Sequence, residues 1–300
     1  MIAGTPQALT DQSLQASGLS DTEVEQLAAV ARLAAQAGAA QLMTHFGQLE
    51  RIREKGRAGD LVTEADIAAE QAVLAVLERE TPDLGVLAEE SGYRKGGGSE
   101  LEWCVDPLDG TTNYAHRYPF FGTSIGLTWR GQPLLGALAV PALEQLYWAA
   151  PGQGAWCNES PIRVSACASL AHSLLVTGFA YDRHERLDNN YAEFAWFTHR
   201  THGVRRGGAA AVDLAFVADG RLDGYWERGL SPWDLAAGVA LVEQAGGVVC
   251  AYDGGPAQLK DGRLIACTPG LRQALIDGLS SCRPLSGDSF GAPELDRTAP

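Results

Sequence analysis

The pattern of apolar residues changes near residue 86, from helical periodicity to short runs. This change limits the folds that the chain can adopt. Upstream, two stretches rich in Ala and Leu have helical periodicity, which predicts helices over 21–46 and 64–80. From Val86 to Val164, short apolar runs alternate with Gly, Pro and Asn, as is typical of strands joined by turns. The clearest of these runs are predicted to be neighbouring antiparallel strands, at 124–129, 134–140 and 145–149.

The C-terminal half alternates between helical and strand patterns. The predicted segments are 172–177, 189–200, 209–218, 224–227, 232–245, 248–251, 264–267 and 271–279. Helices and sheets in this order predict a layered α/β (α+β) sandwich. No Gly-x-Gly-x-x-Gly or Walker loop is present, which argues against a dinucleotide or a nucleoside triphosphate as ligand.

The length of 300 residues and a hydrophobic content of 46% favour one large unit with an ample core. We expect a single domain over 21–282, with two lobes that share a cleft. Residues 1–20 are rich in Gln, Ser, Thr and Ala, and residues 283–300 are similarly polar. Both segments are predicted to be flexible tails.

Acidic residues outnumber basic ones by 37 to 23, which gives a net charge of −14. Such a surface repels nucleic acids and acidic membranes, so we expect neither as a partner. It also repels a phosphorylated substrate. A phosphate site in this chain therefore needs its own positive charge, and a metal ion is the simplest source.

The six cysteines include no Cys-x-x-Cys pair, and no apolar run approaches the ~18 residues of a membrane span. We find no positively charged leader followed by an apolar run, which is the pattern that would indicate export. We therefore expect reduced thiols in a cytoplasmic protein without a zinc site.

Segment 103–113 carries the strongest chemical signal. Asp106 directly follows a predicted buried strand, and a Pro-Leu pair separates it from Asp109. A four-residue turn brings its ends within ~7 Å, so both carboxylates are predicted to face one cation, with the Leu108 carbonyl as a further ligand. The Gly-Thr-Thr at 110–112 supplies backbone and hydroxyl donors for an anion. The alternative is a plain Asp-Pro and Asp-Gly turn.

Three further carboxylates are candidates. Glu89 ends another short apolar run, although an adjacent acidic pair is usually a solvated surface. Asp234 lies in the first turn of a predicted helix, where a role in capping the helix would alone explain the carboxylate. However, it shares a helical stripe with apolar residues and is therefore predicted to face inward. Asp66, which follows Thr63, has the same ambiguity, and the presence of Glu70 on its stripe weakens the inward prediction.

Lys55 and Arg57 lie on a Gly-bounded loop predicted over 53–59. This loop is either a mobile basic lid over an anionic substrate or a solvated turn.

Four blocks of the chain, taken in order, resemble the inositol monophosphatase family of magnesium-dependent, lithium-sensitive phosphatases. They are Asp-Leu-Val-Thr-Glu-Ala-Asp at 60–66, Glu-Glu-Ser-Gly at 89–92, the segment 103–113, and Trp-Asp-Leu-Ala-Ala-Gly at 233–238 leading into Glu-Gln-Ala-Gly-Gly at 243–247. The resemblance spans roughly 25–278. It implies a layered αβαβα sandwich like that of inositol monophosphatase and fructose-1,6-bisphosphatase, usually a homodimer, which hydrolyses a small phosphate monoester.

The resemblance also implies roles for individual residues. The ligands of two or three Mg²⁺ ions would be Glu89, Asp106, the Leu108 carbonyl, Asp109 and Asp234. The catalytic residues that position and activate the attacking water would be Asp66, Thr111 and Glu89. The substrate contacts would be Glu89, Leu108, Asp109, Gly110, Thr111, Gly208, Ala209, Ala210, Glu227 and Asp234. The mobile loop would carry Lys55.

The chain departs from the family pattern at three positions. Ala88 stands where Gly is common, Ala209 where Ser or Thr is common, and Tyr114 where Phe is common. None of these is an implied metal ligand, but Ala209 bears on the alcohol pocket. Glu227 favours an inositol monophosphate as substrate and histidinol phosphate next, because its carboxylate accepts hydrogen bonds from a polyol or pairs with an amine.

The absence of a basic cluster ranks fructose 1,6-bisphosphate and adenosine 3′,5′-bisphosphate lower as substrates. Two hypotheses from other functional classes stay open. One is a regulatory protein that has the same fold and binds the RNA-synthesis machinery. The other is a static Ca²⁺-binding module, although no EF-hand loop is present.

Overall fold

The computed structural model describes residues 13–49, 52–54, 61–94 and 96–285. From residue 21 onward its α-helices are α1 (Asp21–His45), α2 (Glu64–Glu80), α3 (Thr111–Ala115), α4 (Tyr191–Thr198), α5 (Ala210–Ala218), α6 (Pro232–Gln244) and α7 (Arg272–Ser281). The strands are β1 (Ile52–Glu54), β2 (Leu61–Thr63), β3 (Gly85–Ala88), β4 (Gly92–Arg94), β5 (Leu101–Asp109), β6 (Gly122–Trp129), β7 (Gln132–Val140), β8 (Gln145–Ala150), β9 (Gly154–Cys157), β10 (Ser160–Pro161), β11 (Leu174–Thr177), β12 (Gly203–Arg205), β13 (Gly224–Arg228), β14 (Val248–Cys250) and β15 (Arg263–Cys267). In these ranges no helix has the length and apolar character needed to cross a membrane.

The elements stack in five layers, which confirms the predicted αβαβα sandwich. Helices α1 and α2 cover one face of an eight-stranded mixed sheet with the order β10-β9-β8-β7-β6-β5-β3-β4. Helices α5 and α6 cover its other face and separate it from a five-stranded sheet with the order β12-β11-β13-β15-β14. Helices α4 and α7 pack on the outer side of this second sheet. Each sheet is therefore buried on both faces.

Helix α6 lies unusually close to the eight-stranded sheet because β6 and β7 each present a glycine to it. A Cβ at Gly126 would lie 2.4 Å from the Cβ of Ala236, and a Cβ at Gly136 would lie 2.5 Å from the Cα of Ala237. Gly in a strand often marks such a close approach of backbones. The contact holds the first turn of α6, which contains Asp234, beside the end of β5.

The predicted elements occur, with ends that differ by a few residues. The runs predicted at 124–129, 134–140 and 145–149 are β6, β7 and β8, which pair antiparallel as neighbours. The two N-terminal helices end within one residue of prediction. Their starts are well defined because each begins at a capping box, Ser20 with Glu23 and Thr63 with Asp66.

The turn predicted at Asp106 is wrong, because β5 continues to Asp109. Asp106 pairs with Ser124 and Asp109 pairs with Gly122, so two residues of β5 oppose one residue of β6 in a bulge. Pro107 lies in this bulge, which suits it because it has no amide hydrogen to give to the ladder. The two carboxylates still lie at one end of the sheet.

The predicted flexible N-terminal tail, 1–20, is described only from residue 13, and that part is not loose. Residues 13–17 are helical, and Leu14 and Leu19 pack against the core between α1 and the large sheet. These two apolar side chains hold the segment against the core, although the composition of the segment as a whole is polar. Residues 1–12 and 286–300 lie outside the described residues.

The loop predicted over 53–59 also differs from expectation where it is described. Arg53 and Glu54 belong to β1, which pairs antiparallel with β2. Lys55 and Arg57 lie outside the described residues.

Candidate active site

A cavity of about 380 Å³ opens where the ends of β5 and β13 meet the first residues of α3, α5 and α6. Most of the residues that the sequence singled out line it: Glu89, Asp106, Leu108, Asp109, Gly110, Thr111, Gly208, Ala209, Ala210, Glu227 and Asp234. Asp66 lies behind the wall and contacts Thr111. Lys55 lies outside the described residues. The fold thus gathers side chains from five separate segments.

Asp106 is the centre of a carboxyl cluster. Its side chain is buried and is hydrogen-bonded to the carboxyl groups of Glu89 and Asp234. The Leu108 amide donates to Asp106 Oδ1 at 3.0 Å. Burial, then the charges of its neighbours, raise the pKa of Asp106 well above its usual value. A hydrogen bond between two carboxyl groups requires a shared proton, and the one with Glu89 adds to the rise in the pKa of Asp106 after burial and the neighbouring charges.

Asp234 occupies the third position of α6, as the sequence predicted. Its Oδ2 accepts a hydrogen bond from the Ser231 amide at 2.7 Å, which closes the start of the helix. Burial first and the charge of Glu89 second raise the pKa of Asp234 to about 8. Capping alone does not explain the residue, because its other contacts are to Asp106 and the cavity.

Asp109 is held by the backbone of a different layer. Its two carboxylate oxygens accept from the Ala210 amide at 2.8 Å and the Val212 amide at 3.1 Å. Burial raises its pKa to about 7, and these amide hydrogen bonds act in the opposite direction. The N-terminal end of α5 therefore has its free amides satisfied by Asp109, since Ala209 at the N-cap has no side chain that could do so.

Asp66 and Thr111 meet behind the carboxyl cluster. Thr111 Oγ1 lies 3.2 Å from Asp66 Oδ1 and 3.0 Å from the Leu108 carbonyl. Asp66 Oδ2 accepts from the Thr63 amide and hydroxyl, at 2.7 and 2.6 Å. The Asp66 side chain is therefore fixed by the start of α2 and points its other oxygen at the Thr111 hydroxyl.

Glu70, which seemed to weaken the inward prediction for Asp66, is itself buried. Its Oε2 accepts a hydrogen bond from the Glu90 amide at 2.9 Å. Helix α2 thus positions the loop that carries Glu89. A second acidic residue on the apolar stripe of α2 therefore indicates a second buried contact and does not argue against the inward position of Asp66.

The far side of the cavity is built on β13 and the loop before α5. Glu227 is buried, and the Tyr225 hydroxyl donates to its Oε2 at 2.8 Å. Burial raises the pKa of Glu227 to about 7, against the Tyr225 hydrogen bond and the positive charge of Arg206. Asp213 of α5 is also buried, and burial is the main reason that its pKa is raised well above the usual value, while the charge of Arg206 and the Gly208 amide act in the opposite direction.

Three residues with evident roles here were missed from the sequence. Asn113 Nδ2 donates to the Phe120 carbonyl at 2.8 Å and to the Gly207 carbonyl at 3.0 Å, which ties α3 to the loop before α5. Asp213, a lone charge in an apolar helical run, was a signal that could have been used. Arg206 is the only basic residue among the described residues that line the cavity, and its local sequence gave no signal.

The donor set suits a hard divalent cation. Two like charges ~4 Å apart repel by ~4 kcal/mol at an effective dielectric of ~20, so several buried carboxylates cannot all be ionised unless a cation compensates them. All the donors are oxygens, as Mg²⁺ and Ca²⁺ prefer. As they stand, the described side chains include no group of three or more Asp, Glu, His or Cys set closely enough to hold a metal ion. The raised pKa values of Asp106 and Asp234 mean that these carboxyls retain protons more readily than usual, and a bound cation would take over the role of those protons.

Comparison with known proteins agrees with this chemistry. The family model described as "Inositol monophosphatase family" matches residues 23–283. An inositol-1-monophosphatase from Synechocystis sp. is 49% identical over 269 residues, which cover 90% of this chain and 94% of that protein. The Nus factor SuhB of Pseudomonas aeruginosa is 39% identical over 250 residues, which cover 80% of this chain and 92% of that protein.

Among solved structures, the inositol monophosphatase of Anabaena (Nostoc) sp. superposes with a TM-score of 0.80 at 47% sequence identity, covering 87% of this chain and 98% of that one. Family, fold and site chemistry therefore agree over nearly the whole described chain. The protein belongs to the inositol monophosphatase family, whose members are metal-dependent phosphoric monoester hydrolases.

Proposed function

We propose that this protein hydrolyses the phosphate monoester of a small polyol, most simply a myo-inositol monophosphate, to the free alcohol and inorganic phosphate. The observation that carries this proposal is the convergence of the Asp106 carboxyl cluster, the Asp66–Thr111 pair and the Glu227 wall on one cavity. The first suits a metal centre, the second suits a water molecule, and the third suits an alcohol. We further propose that residues 21–282 act as one phosphatase domain.

The metal centre is proposed to hold two or three Mg²⁺ ions on Glu89, Asp106, the Leu108 carbonyl, Asp109 and Asp234. When bound, such ions supply Lewis acidity and neutralise the charge of the phosphoryl oxygens. The pairwise hydrogen bonds of Asp106 with Glu89 and Asp234 support this assignment, because they place acidic groups where only protons or cations make them compatible.

The attacking water is proposed to be held by Thr111 and Asp66. The Thr111 hydroxyl lies within reach of the Asp66 carboxylate and the Leu108 carbonyl, and we propose that it donates its one hydrogen to Asp66. Its oxygen is then free to accept a hydrogen bond from water, which orients a lone pair of that water toward phosphorus. Asp66 is the group placed to take up the proton through Thr111. The water oxygen forms a new bond to phosphorus as the bond from phosphorus to the ester oxygen breaks, and the leaving oxygen takes a proton from solvent water to become the alcohol.

The phosphate is proposed to lie against the Gly110 and Thr111 amides, where β5 passes into α3. Gly110 has a φ of 90°, in the left-handed region that only Gly adopts without strain, and this turns the chain into the helix. The first amides of a helix have no partner within it. Gly208, Ala209, Ala210 and Glu227 are proposed to contact the alcohol part.

Phosphate release from a small panel tests the function. The substrates are inositol 1-phosphate, histidinol phosphate, fructose 1,6-bisphosphate and adenosine 3′,5′-bisphosphate, each with Mg²⁺ and with or without Li⁺. We expect the highest kcat/KM for inositol 1-phosphate and inhibition by Li⁺. No release from any of the four in Mg²⁺ would exclude the proposed function, whereas a preference for histidinol phosphate would reassign the substrate.

A second candidate function is suggested by the relatives called Nus factor SuhB. This chain would then act chiefly by binding a protein of the RNA-synthesis machinery. The two candidates predict different results: a stoichiometric partner in a pull-down together with no phosphatase activity would favour the second. Dimerisation and a cytoplasmic location also stay predictions, and sedimentation and cell fractionation test them.

A further inference from the structure

Strand β13 has two faces that contact different parts of the protein. Successive side chains of a strand point to opposite faces, so Tyr225 and Glu227 share one face, and Glu227 lines the cavity. Trp226 and Arg228 share the other face, and both are buried. The mechanism above uses neither of them, although each makes polar contacts with one segment, residues 178–190, which we call the wall segment.

The wall segment joins β11 to α4 and begins at the active site. Its first four residues, 178–181, line the cavity. A Cβ at Gly178 would lie 2.0 Å from Glu227 Oε1, so the segment starts close against the buried carboxyl group. A shift of the wall segment therefore changes the shape of the cavity.

The far end of the wall segment returns to its start. Asn190 is buried and has a φ of 69°, in the left-handed region that Asn adopts more readily than most residues. Its Nδ2 donates to the Thr177 hydroxyl at 2.8 Å and to the Gly178 carbonyl at 2.7 Å, and its Oδ1 accepts from Trp226 Nε1 at 2.6 Å. One amide side chain thus closes the segment into a loop on β13.

The middle of the wall segment has little apolar packing to hold it. Residues 181–188 are all half-buried or exposed, and Leu187 is 64% exposed. A separate cavity of about 430 Å³ lies beside them and is lined mainly by this part of the segment. The position of the middle of the wall segment therefore depends mainly on polar contacts.

Arg228 supplies such contacts from the buried face of β13. Its Nη2 donates to Asp182 Oδ1 at 2.8 Å, and its Nε donates to the Asp188 carbonyl. One guanidinium therefore holds both ends of the exposed part of the segment. Arg186 also pairs with Asp182, at 2.7 Å from Oδ2, but its side chain is 67% exposed against 10% for Arg228. Exposed ion pairs contribute little, whereas breaking a buried pair leaves an uncompensated charge.

We propose that Arg228 is a positioning residue of the active site, which acts from outside the cavity by latching the wall segment against β13. The substrate binds the latched form best, so the latch determines what fraction of the protein is competent to bind. This inference rests on the proposed phosphatase function and adds to it a residue that lies outside the cavity.

A latch of this kind has a particular kinetic signature. If only a fraction of the protein is latched, the apparent dissociation constant rises in inverse proportion to that fraction, while bound substrate draws the segment back into place. Loss of the latch therefore raises KM and leaves kcat nearly unchanged. A general weakening of the fold would instead lower the amount of active enzyme, and thus kcat, at an unchanged KM.

The test compares Arg228→Met with Arg186→Met in Mg²⁺, with myo-inositol 1-phosphate as substrate. The two variants remove partners of the same carboxylate, that of Asp182, one from the buried side and one from the exposed side. Arg228→Lys keeps the charge but lacks the guanidinium fork that reaches two acceptors. Asp182→Asn breaks the ion pair from the side of the segment, and it provides the test if Arg228→Met does not fold.

Limited digestion with trypsin measures the latch independently of turnover. Arg183 lies in the wall segment, is half-buried, and donates from Nη1 to the Ala180 carbonyl at 3.2 Å, so cleavage after it requires local opening. Mass spectrometry identifies this cut. The rate of cleavage reports the population of the open form when opening and closing are fast relative to cleavage.

We expect Arg228→Met to raise KM by ~3- to 10-fold and to keep kcat within about threefold. Cleavage after Arg183 is expected to be faster by ~10- to 100-fold, the usual effect of losing a hydrogen bond to a charged group. Asp182→Asn is expected to shift both quantities in the same direction, and Arg228→Lys to lie between Arg228→Met and the wild type. Arg186→Met is expected to keep KM and the cleavage rate within about twofold of the wild type.

Three results would overturn the inference. A fall in kcat at an unchanged KM would give Arg228 a general structural role. A wild-type KM and kcat in Arg228→Met, whatever the rate of cleavage, would show that the substrate does not need the latched segment. Equal effects of Arg186→Met and Arg228→Met would show that the buried contact is not the latch. Failure of the phosphatase function looks different, because the wild-type protein would then release no phosphate, while digestion would still compare the variants.

Discussion

At the scale of single residues, the backbone is what holds the Asp109 carboxylate in place. Both of its oxygens accept amides of α5, so its position does not depend on a neighbouring cation. Asn113 has a similar place in the site, since its amide group bridges two carbonyls of distant segments. Each of these residues therefore links the end of β5 and the start of α3 to α5 and the loop before it.

The first prediction concerns Asp109→Asn. The neutral side chain removes a proposed metal ligand, and its NH₂ group must face an amide that needs an acceptor. We expect kcat to fall by more than ~100-fold in Mg²⁺ while the protein stays folded, with a loss of ~1 kcal/mol in the free energy of unfolding from the weakened start of α5. Steady-state kinetics and urea unfolding measure the two effects. Near-normal turnover in this variant would remove Asp109 from the site.

The second prediction concerns Asn113. Asn113→Ala leaves the Phe120 and Gly207 carbonyls without their donor, which we expect to lower the free energy of unfolding by ~1–3 kcal/mol. Because the loop before α5 loses its tie to α3, KM is expected to rise by a larger factor than kcat falls. Asn113→Asp has nearly the same shape but presents oxygens to those carbonyls. It is expected to be at least as harmful as Asn113→Ala, and a wild-type KM in both variants would contradict the bridging role.

At the scale of elements, the site is made where helices begin. The first turns of α5 and α6 meet the end of β5, and the capping carboxylates of α2 and α6, Asp66 and Asp234, are also site residues. The close contact of α6 with the large sheet determines how far Asp234 lies from Asp106. Small changes in that contact are therefore expected to reach the site.

The third prediction tests this with Gly126→Ala. The added Cβ would lie 2.4 Å from that of Ala236, so α6 must move away from the sheet. We expect a loss of ~1–3 kcal/mol in stability, as for other overpacked cores, together with a clear fall in kcat. Gly97→Ala is the matched control, because its Cβ would find only ordinary contacts, the nearest at 3.4 Å. Equal activity in the two variants would show that α6 does not need its close packing.

At the scale of the whole molecule, the buried acidic residues of the cavity make the stability of the fold depend on pH. Asp109 and Glu227 have a pKa of about 7 and Asp234 of about 8, all raised mainly by burial. Since these values exceed those of the unfolded chain, the folded protein binds more protons than the unfolded chain at intermediate pH. The folded, metal-free protein is therefore favoured at low pH, and this contribution is lost as pH rises through about 7 to 8.

The fourth prediction follows from that sign. In EDTA, we expect the melting temperature to fall by several degrees between about pH 5 and about pH 8. Saturating Mg²⁺ is expected to reduce this dependence, because cations replace the protons that the carboxyls share and stabilise the folded state by binding it. Differential scanning calorimetry at matched ionic strength measures both series. A melting temperature in EDTA that rises over this range would contradict the buried, proton-sharing arrangement.

The sequence by itself determined the features that depend on residues close to one another in the chain, such as helix starts and strands. Helix starts were predicted within a residue or two because side chains three positions apart, as in Thr63 and Asp66, close them locally. Strands β6 to β8 were predicted from apolar runs and turn residues, and the layered sandwich followed from the order of elements. The family resemblance added the proposed ligand set, which the described structure gathers around one cavity.

Only the tertiary structure decided the contacts between distant segments. The bulge at Pro107 depends on pairing with β6, and Asp109 is satisfied by an amide 101 residues away. The burial of the Glu70 side chain and the position of Arg206 at the cavity likewise depend on how the layers stack. The reason is physical: burial and charge compensation are properties of the space that packed elements enclose, and a local sequence pattern does not specify which distant groups share that space.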